Sequence, residues 1–213
     1  FSIGAISGTF NIQEEQSFLS GCLEIIYSYL NSSDATAIQK MQLYGSYFFI
    51  CSLYPRFFYQ NWPHQKILAN NILQAIHIPD NYDFQKATVN IFKTISYRNA
   101  KPFIMLYEGE KETTIVQYLS QLGGIAQLLP LDLMPTFFQG LAIIIGNVQD
   151  MALKTQLINE LIVLPNKSWE NALMQLQSSS ADEQLPLKIH FSLVVFSKII
   201  QINEVAPLFN EHI

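Results

Sequence analysis

The chain has 213 residues and a mass of 24.3 kDa, with 49% hydrophobic, 14% charged and 13% aromatic residues. That composition supplies one substantial core or two smaller ones and excludes long disorder. Twelve basic residues against seventeen acidic ones give a net charge of -5, and no basic run is denser than Arg98 to Lys101, so direct nucleic-acid binding is not expected. The longest apolar stretches, such as Tyr44 to Tyr54, fall short of the ~20 residues that span a bilayer, which argues against membrane insertion. Cys22 and Cys51 lie far apart in apolar helical patterns and read as buried thiols in a reducing compartment. The chain opens on residues that look like the end of an element, as if cut from a longer protein.

Apolar residues recur at three and four positions along most of the sequence, the signature of amphipathic helices. Leu19, Leu23, Ile26 and Leu30 mark the first stripe, which stops at Asn31-Ser32-Ser33-Asp34. The aromatic-rich run from Tyr44 follows and breaks at Tyr54-Pro55; Ile67, Ile72, Leu73 and Ile76 then lead to a break at Ile78-Pro79-Asp80-Asn81. Ile115, Leu119, Leu122 and Ile125 form a stripe ending at Leu129-Pro130-Leu131-Asp132, and Leu141, Ile144 and Ile145 form another. Further breaks are expected at Leu164-Pro165-Asn166 and from Ser178 to Asp182. The pattern predicts an all-α fold of about eight helices and an opening stub, joined by short links that make neighbours antiparallel.

Expected ends of alternate helices fall near Gly8, Tyr54, Ala100 and Gly146, a spacing of 46 residues each time. A helix pair repeated at ~40 to 47 residues is the mark of the HEAT and armadillo class, so an α-solenoid of HEAT repeats is predicted. Its repeats would cover about 11–54, 55–102, 103–147 and 148–204, after the end of a preceding repeat at 1–10 and before a trailing segment at 205–213.

No constellation for catalysis stands out, and no cofactor is implied. Gly4-Ala5-Ile6-Ser7-Gly8 lacks the strand that a nucleophile elbow needs. His64, His77, His190 and His212 have no metal-ligand spacing, and Glu108, Glu110 and Glu112 around Lys111 read as a solvated link. The fifteen Phe and ten Tyr carry more information. Leu23, Tyr27 and Leu30 share one helical face, as do Tyr44 and Phe48. Two readings follow: core packing between paired helices, or an aromatic-lined crevice suited to the apolar anchors of an amphipathic peptide.

Several motifs, in order, resemble the exportin-1 family of nuclear export receptors. Phe1 to Gly8 (FSIGAISG), with Glu14-Glu15 and Phe18-Leu19, is similar to the stretch that precedes the cargo groove of that family. Tyr54-Pro55-Arg56-Phe57 with Trp62 matches its YPRF and following tryptophan. Thr136-Phe137-Phe138 with Ile145-Gly146 resembles its TFYEAVGYMIG helix, and Leu161 to Trp169 (LIVLPNKSW) resembles its MLLPNQVW.

The resemblance implies a non-enzymatic HEAT-repeat segment from the middle of a larger receptor that shuttles between nucleus and cytoplasm. Its partners would be cargo proteins with leucine-rich export signals, Ran bound to GTP (mainly through regions outside this segment), and nuclear pore proteins. Carried over position by position, the groove would be lined by Leu23, Tyr27 and Leu30 on one helix, Tyr44 and Phe48 on its partner, and Phe57, His64, Leu68, Asn71 and Ala75 on the facing helix. Phe57 is then expected to matter more to cargo than to folding. The chain departs from the family at Leu30, where animal members commonly carry a reactive cysteine, and at Tyr44, where they carry a small alanine. His64 and Ala75 replace large aromatics, while Asn71 and Gln74 replace a lysine and a glutamate at the rim. An alternative is an architectural HEAT scaffold whose groove is closed, with bulky Tyr44 as its main support.

Overall fold

A computed structural model describes residues 8–32, 34–78, 81–177, 185–202 and 205–206. The opening motif up to Ser7, the Pro79-Asp80 break, the break from Ser178 to Asp182 and the trailing residues from Pro207 lie outside the described residues. Among the described residues there are helices and no strands, as an all-α fold of antiparallel helix pairs of the HEAT type requires. The chain divides into two compact units, Phe1–Pro102 and Phe103–Ile213.

In the first unit, α1 (Ile12–Leu30) starts at a full capping box: the Asn11 side chain accepts from the Gln13 and Glu14 amides, and Glu14 accepts from the Asn11 amide. Thr36 and Gln39 repeat the device at the start of α2 (Ala37–Leu53). After Tyr54 come α3 (Pro55–Gln60), α4 (Trp62–Ile76) and α5 (Tyr82–Arg98). Pro63 separates α3 from α4, because it has no N–H to continue the ladder of α3. The helix α1 packs on α2 and α3, while α5 packs on α2 and α4. Two arginines stitch the unit over 46 residues each. Arg56 donates to the Phe10 carbonyl at 3.2 Å and pairs with the buried Glu15 carboxylate at 2.7 Å, and Arg98 donates to the Ser52 carbonyl at 2.7 Å.

A short turn, α6 (Lys101–Ile104), crosses the boundary in sequence. The loop that follows bends at Gly109, whose φ of 80° lies where only glycine sits without strain, and the acidic residues around it are mostly exposed. The second unit holds α7 (Thr114–Ser120), α8 (Leu122–Leu128), α9 (Met134–Gly146), α10 (Met151–Gln177) and α11 (Leu185–Ile200). The single stripe expected from Ile115 to Ile125 is split at Gln121, just ahead of Gly123-Gly124, where backbone entropy opposes a continuous helix. With the α3/α4 and α7/α8 splits and the short α6, the described residues form eleven helices instead of about eight.

One expected break is overturned. Pro165 lies inside α10, which runs unbroken from Met151 to Gln177. A mid-helix proline loses one backbone hydrogen bond and costs ~3 kcal/mol in an exposed helix. Here the residue is buried, its carbonyl accepts from the Ser192 hydroxyl of α11 at 3.2 Å, and α10 packs along both α9 and α11. Tertiary packing offsets the local cost. The core of this unit is α9, buried on almost every side from Met134 to Gly146. Its C-terminal carbonyl at Gly146 accepts from the buried Lys154 ammonium at 2.8 Å, a cation at the negative end of the helix dipole.

Candidate functional site: an aromatic face of the first unit

The candidate groove residues converge in the first unit. Ring contacts join α1, α3 and α4: Tyr27 stacks on His64 at 5.9 Å between centroids, and Phe57 meets His64 at 5.1 Å. Tyr27 also meets Tyr47 edge-on at 5.4 Å, which brings in α2. Tyr47 then contacts Phe48 at 5.5 Å, Phe48 stacks on Tyr44 at 5.7 Å, and Tyr44 reaches Phe84 of α5 at 6.4 Å. An unbroken series of rings thus connects Phe58, Phe57, His64, Tyr27, Tyr47, Phe48, Tyr44 and Phe84.

Hydrogen bonds tie the polar tips of these rings. The Tyr27 hydroxyl lies 3.1 Å from the Tyr47 hydroxyl and 3.3 Å from His64 Nδ1. The Tyr44 hydroxyl donates to Gln74 Oε1 at 3.0 Å, which fastens Tyr44 to α4. Burial pushes the Tyr27, Tyr44 and Tyr47 hydroxyls up, and the adjacent Cys51 adds to the effect at Tyr27 and Tyr47. All three stay neutral at physiological pH. Burial pulls His64 below the usual imidazole range, with Glu24 opposing the shift, so the ring is mostly neutral as well. The assembly is an uncharged cluster of rings and hydroxyls, mostly buried, that holds these helices together.

Eight of the ten candidate residues are buried by the chain itself: Leu23, Leu30, Tyr44, Phe48, Phe57, Leu68, Asn71 and Ala75. Tyr27 and His64 are half-buried. Phe57, at 1% exposure, is wedged edge-on against Phe58 and beside His64, which makes it part of the packing of this unit. Asn71 is also buried, and its Nδ2 has no hydrogen-bond partner. Tyr47, Phe58 and Phe84 join the cluster although spacing did not single them out; Tyr47 sits three residues after Tyr44, one of the two helical neighbour spacings. Cys51 is buried as expected, whereas Cys22 is only half-buried.

Among the described residues no group of three or more His, Cys, Asp or Glu side chains is placed to hold a metal ion, and no helix is long and apolar enough to cross a membrane.

Known proteins bear on this geometry. The chain is 25% identical over 169 residues to Exportin-1 of Dictyostelium discoideum, a match that covers 79% of this chain and 16% of the relative. It is 25% identical over 175 residues to Exportin-1 of Schizosaccharomyces pombe, covering 82% and 16%. This chain is similar to a stretch of exportin-1. Protein EXPORTIN 1A of Arabidopsis thaliana agrees, at 23% over 181 residues, covering 84% of this chain and 16% of the relative. The chain therefore spans about 16% of the length of the curated relatives it matches. No family model matches it. The relatives are exportins by name, and the resemblance to exportin-1 expected from the sequence stands.

Proposed function

We propose that this chain is a non-enzymatic helical-repeat segment of a nuclear export receptor, and that its aromatic face is where the apolar side chains of leucine-rich export signals are taken. The observation that carries the reading is the similarity to exportin-1 over about four fifths of the chain. In the whole receptor this segment would act with Ran bound to GTP and with nuclear pore proteins, mainly through regions outside it, and would shuttle between nucleus and cytoplasm. Asn71 adds support from within the fold. A buried amide donor without a partner costs ~1 to 3 kcal/mol, a cost removed when the main-chain carbonyl of a bound peptide accepts from it.

A second reading is favoured by a specific observation. With eight of ten candidate residues buried and Tyr44 fastened to Gln74, the face is filled by the chain's own rings, as an architectural segment would be. The two readings separate on one measurement in the full-length protein. A leucine-rich signal peptide is titrated with and without Ran bound to GTP, against the wild type and Tyr44→Ala. Export recognition predicts binding that Ran strengthens and that Asn71→Ala weakens. Absence of binding in both proteins, with and without Ran, would leave the architectural reading.

A further inference from the structure

Basic residues are spaced out along the sequence, but α5 gathers them. It holds Lys86, Lys93 and Arg98, three of the twelve basic residues, against one acid, Asp83, in a chain whose net charge is -5. On α5 the residues Tyr82, Lys86, Asn90, Lys93 and Tyr97 recur at intervals of four, four, three and four, which stacks them along one face. Tyr82 is 44% and Tyr97 80% exposed; Lys86 and Asn90 are exposed and Lys93 half-buried. Gln85, Thr88, Val89, Phe92, Ile95 and Ser96 occupy the buried side. The Lys86 ammonium lies 5.7 Å above the Tyr82 ring, which steadies both on the surface. Arg98 is already engaged with the Ser52 carbonyl and is not part of the stripe. The acid of this helix, Asp83, sits in its first turn, beside the positive end of the helix dipole.

We propose that this face of α5 docks a short acidic segment of a partner protein, laid extended along the helix. The stripe from Tyr82 to Tyr97 is about 22 Å long at ~1.5 Å per residue, the reach of about seven extended residues at ~3.3 Å each. Lys86 and Lys93 stand about 10 Å apart along the axis, so two carboxylates two to four positions apart reach both ammonium groups on their flexible stems. Asn90 lies between them with an amide donor and acceptor for the segment's main chain, and the two tyrosine rings receive apolar side chains at its ends. A polynucleotide fits less well. It relies on neutralising many phosphates, and this stripe offers two ammonium groups on a chain whose net negative charge repels a long polyanion. The inference rests on the charge and exposure of α5 and is independent of the export-signal reading.

The test titrates the full chain, at low and then physiological ionic strength, with a labelled heptapeptide that has two glutamates and apolar ends. Its glutamine counterpart and single-stranded oligothymidylate of the same length serve as controls. The glutamate peptide is expected to bind roughly ten-fold more tightly than the glutamine one, with affinity falling as salt rises. The charge-reversed variant Lys86→Glu/Lys93→Glu is expected to lose about ten-fold, and Tyr97→Ala about three-fold. Far-UV circular dichroism and melting of the variants check that α5 remains folded. Wild-type affinity in a folded Lys86→Glu/Lys93→Glu protein, or tighter binding of oligothymidylate than of the glutamate peptide, would overturn the proposal.

Discussion

In the first unit, helices meet through rings whose polar tips are hydrogen-bonded: Tyr27 to Tyr47 and His64, Tyr44 to Gln74. In the second, α9 buries Phe137, Phe138, Leu141, Ile144 and Ile145, and the buried Lys154 ammonium meets the Gly146 carbonyl at its end. Both units are built from helix pairs, but they differ in what a displaced side chain would lose. Around α9 the side chains are closed in, with Phe137 against Tyr118 and Phe138 against Phe191, so a displaced one surrenders dispersion contacts in every direction. The ring cluster includes the half-buried Tyr27 and His64, which can exchange their mutual contacts for water at lower cost. Truncating a ring beside Tyr27 and His64 is thus expected to cost less than truncating one inside α9.

The largest effect is expected from Phe137→Ala in the second unit. The side chain is fully buried and its ring meets the equally buried Tyr118, so a loss near the top of the ~3 to 5 kcal/mol range is expected in urea unfolding. Phe57→Ala in the first unit is expected near the bottom of that range, because His64 and Tyr27 can settle into the space. Equal losses at the two sites would break the comparison. The same Phe57→Ala protein also sharpens the export reading. Peptide affinity that is unchanged per folded molecule would assign Phe57 to packing alone.

Smaller effects probe the hydrogen bonds. Tyr44→Phe keeps the ring contacts and removes the bond to Gln74, a loss of ~1 kcal/mol by melting. If the bond also holds the face closed, signal-peptide affinity rises in that variant. His64 supplies the pH test. Its pKa is lowered in the folded state, chiefly by burial, so the unfolded chain binds the proton more readily. The stability contributed by neutral His64 is complete above the ordinary imidazole value of ~6.5 and declines as pH falls below it. His64→Phe is expected to flatten that acid limb of the melting curve; a limb of unchanged slope would show that His64 does not report on the cluster.

The smallest expected effect is none. The family resemblance implies Leu30 in place of the reactive cysteine, and leucine offers a thiol-directed inhibitor no nucleophile. Burial raises Cys22 and Cys51 above the ordinary thiol range and keeps both largely protonated. Intact mass after incubation is expected to be unchanged. An adduct at the half-buried Cys22 would show that its remaining exposure outweighs its raised pKa, and one at the buried Cys51 would show that the first unit opens.

Helix type and several boundaries were legible from local chemistry. The break at Tyr54-Pro55 and the end of α9 at Gly146 follow from residues within one or two turns, so the sequence alone determined them, whereas the capping boxes at Asn11 and Thr36 came from the structure. The faces holding Leu23, Tyr27 and Leu30, and Tyr44 with Phe48, followed from 3.6-residue periodicity, and the ordered motifs carried the likeness to exportin-1. Only the tertiary structure decided that Pro165 stays helical, since that depends on Ser192 and on packing against α9 and α11. It alone decided that Tyr47, Phe58 and Phe84 close the ring series and that the candidate residues are buried. Periodicity says which side chains share a face; whether that face meets water, a ligand or another helix is fixed by contacts between residues distant in sequence, whose energies no local pattern contains.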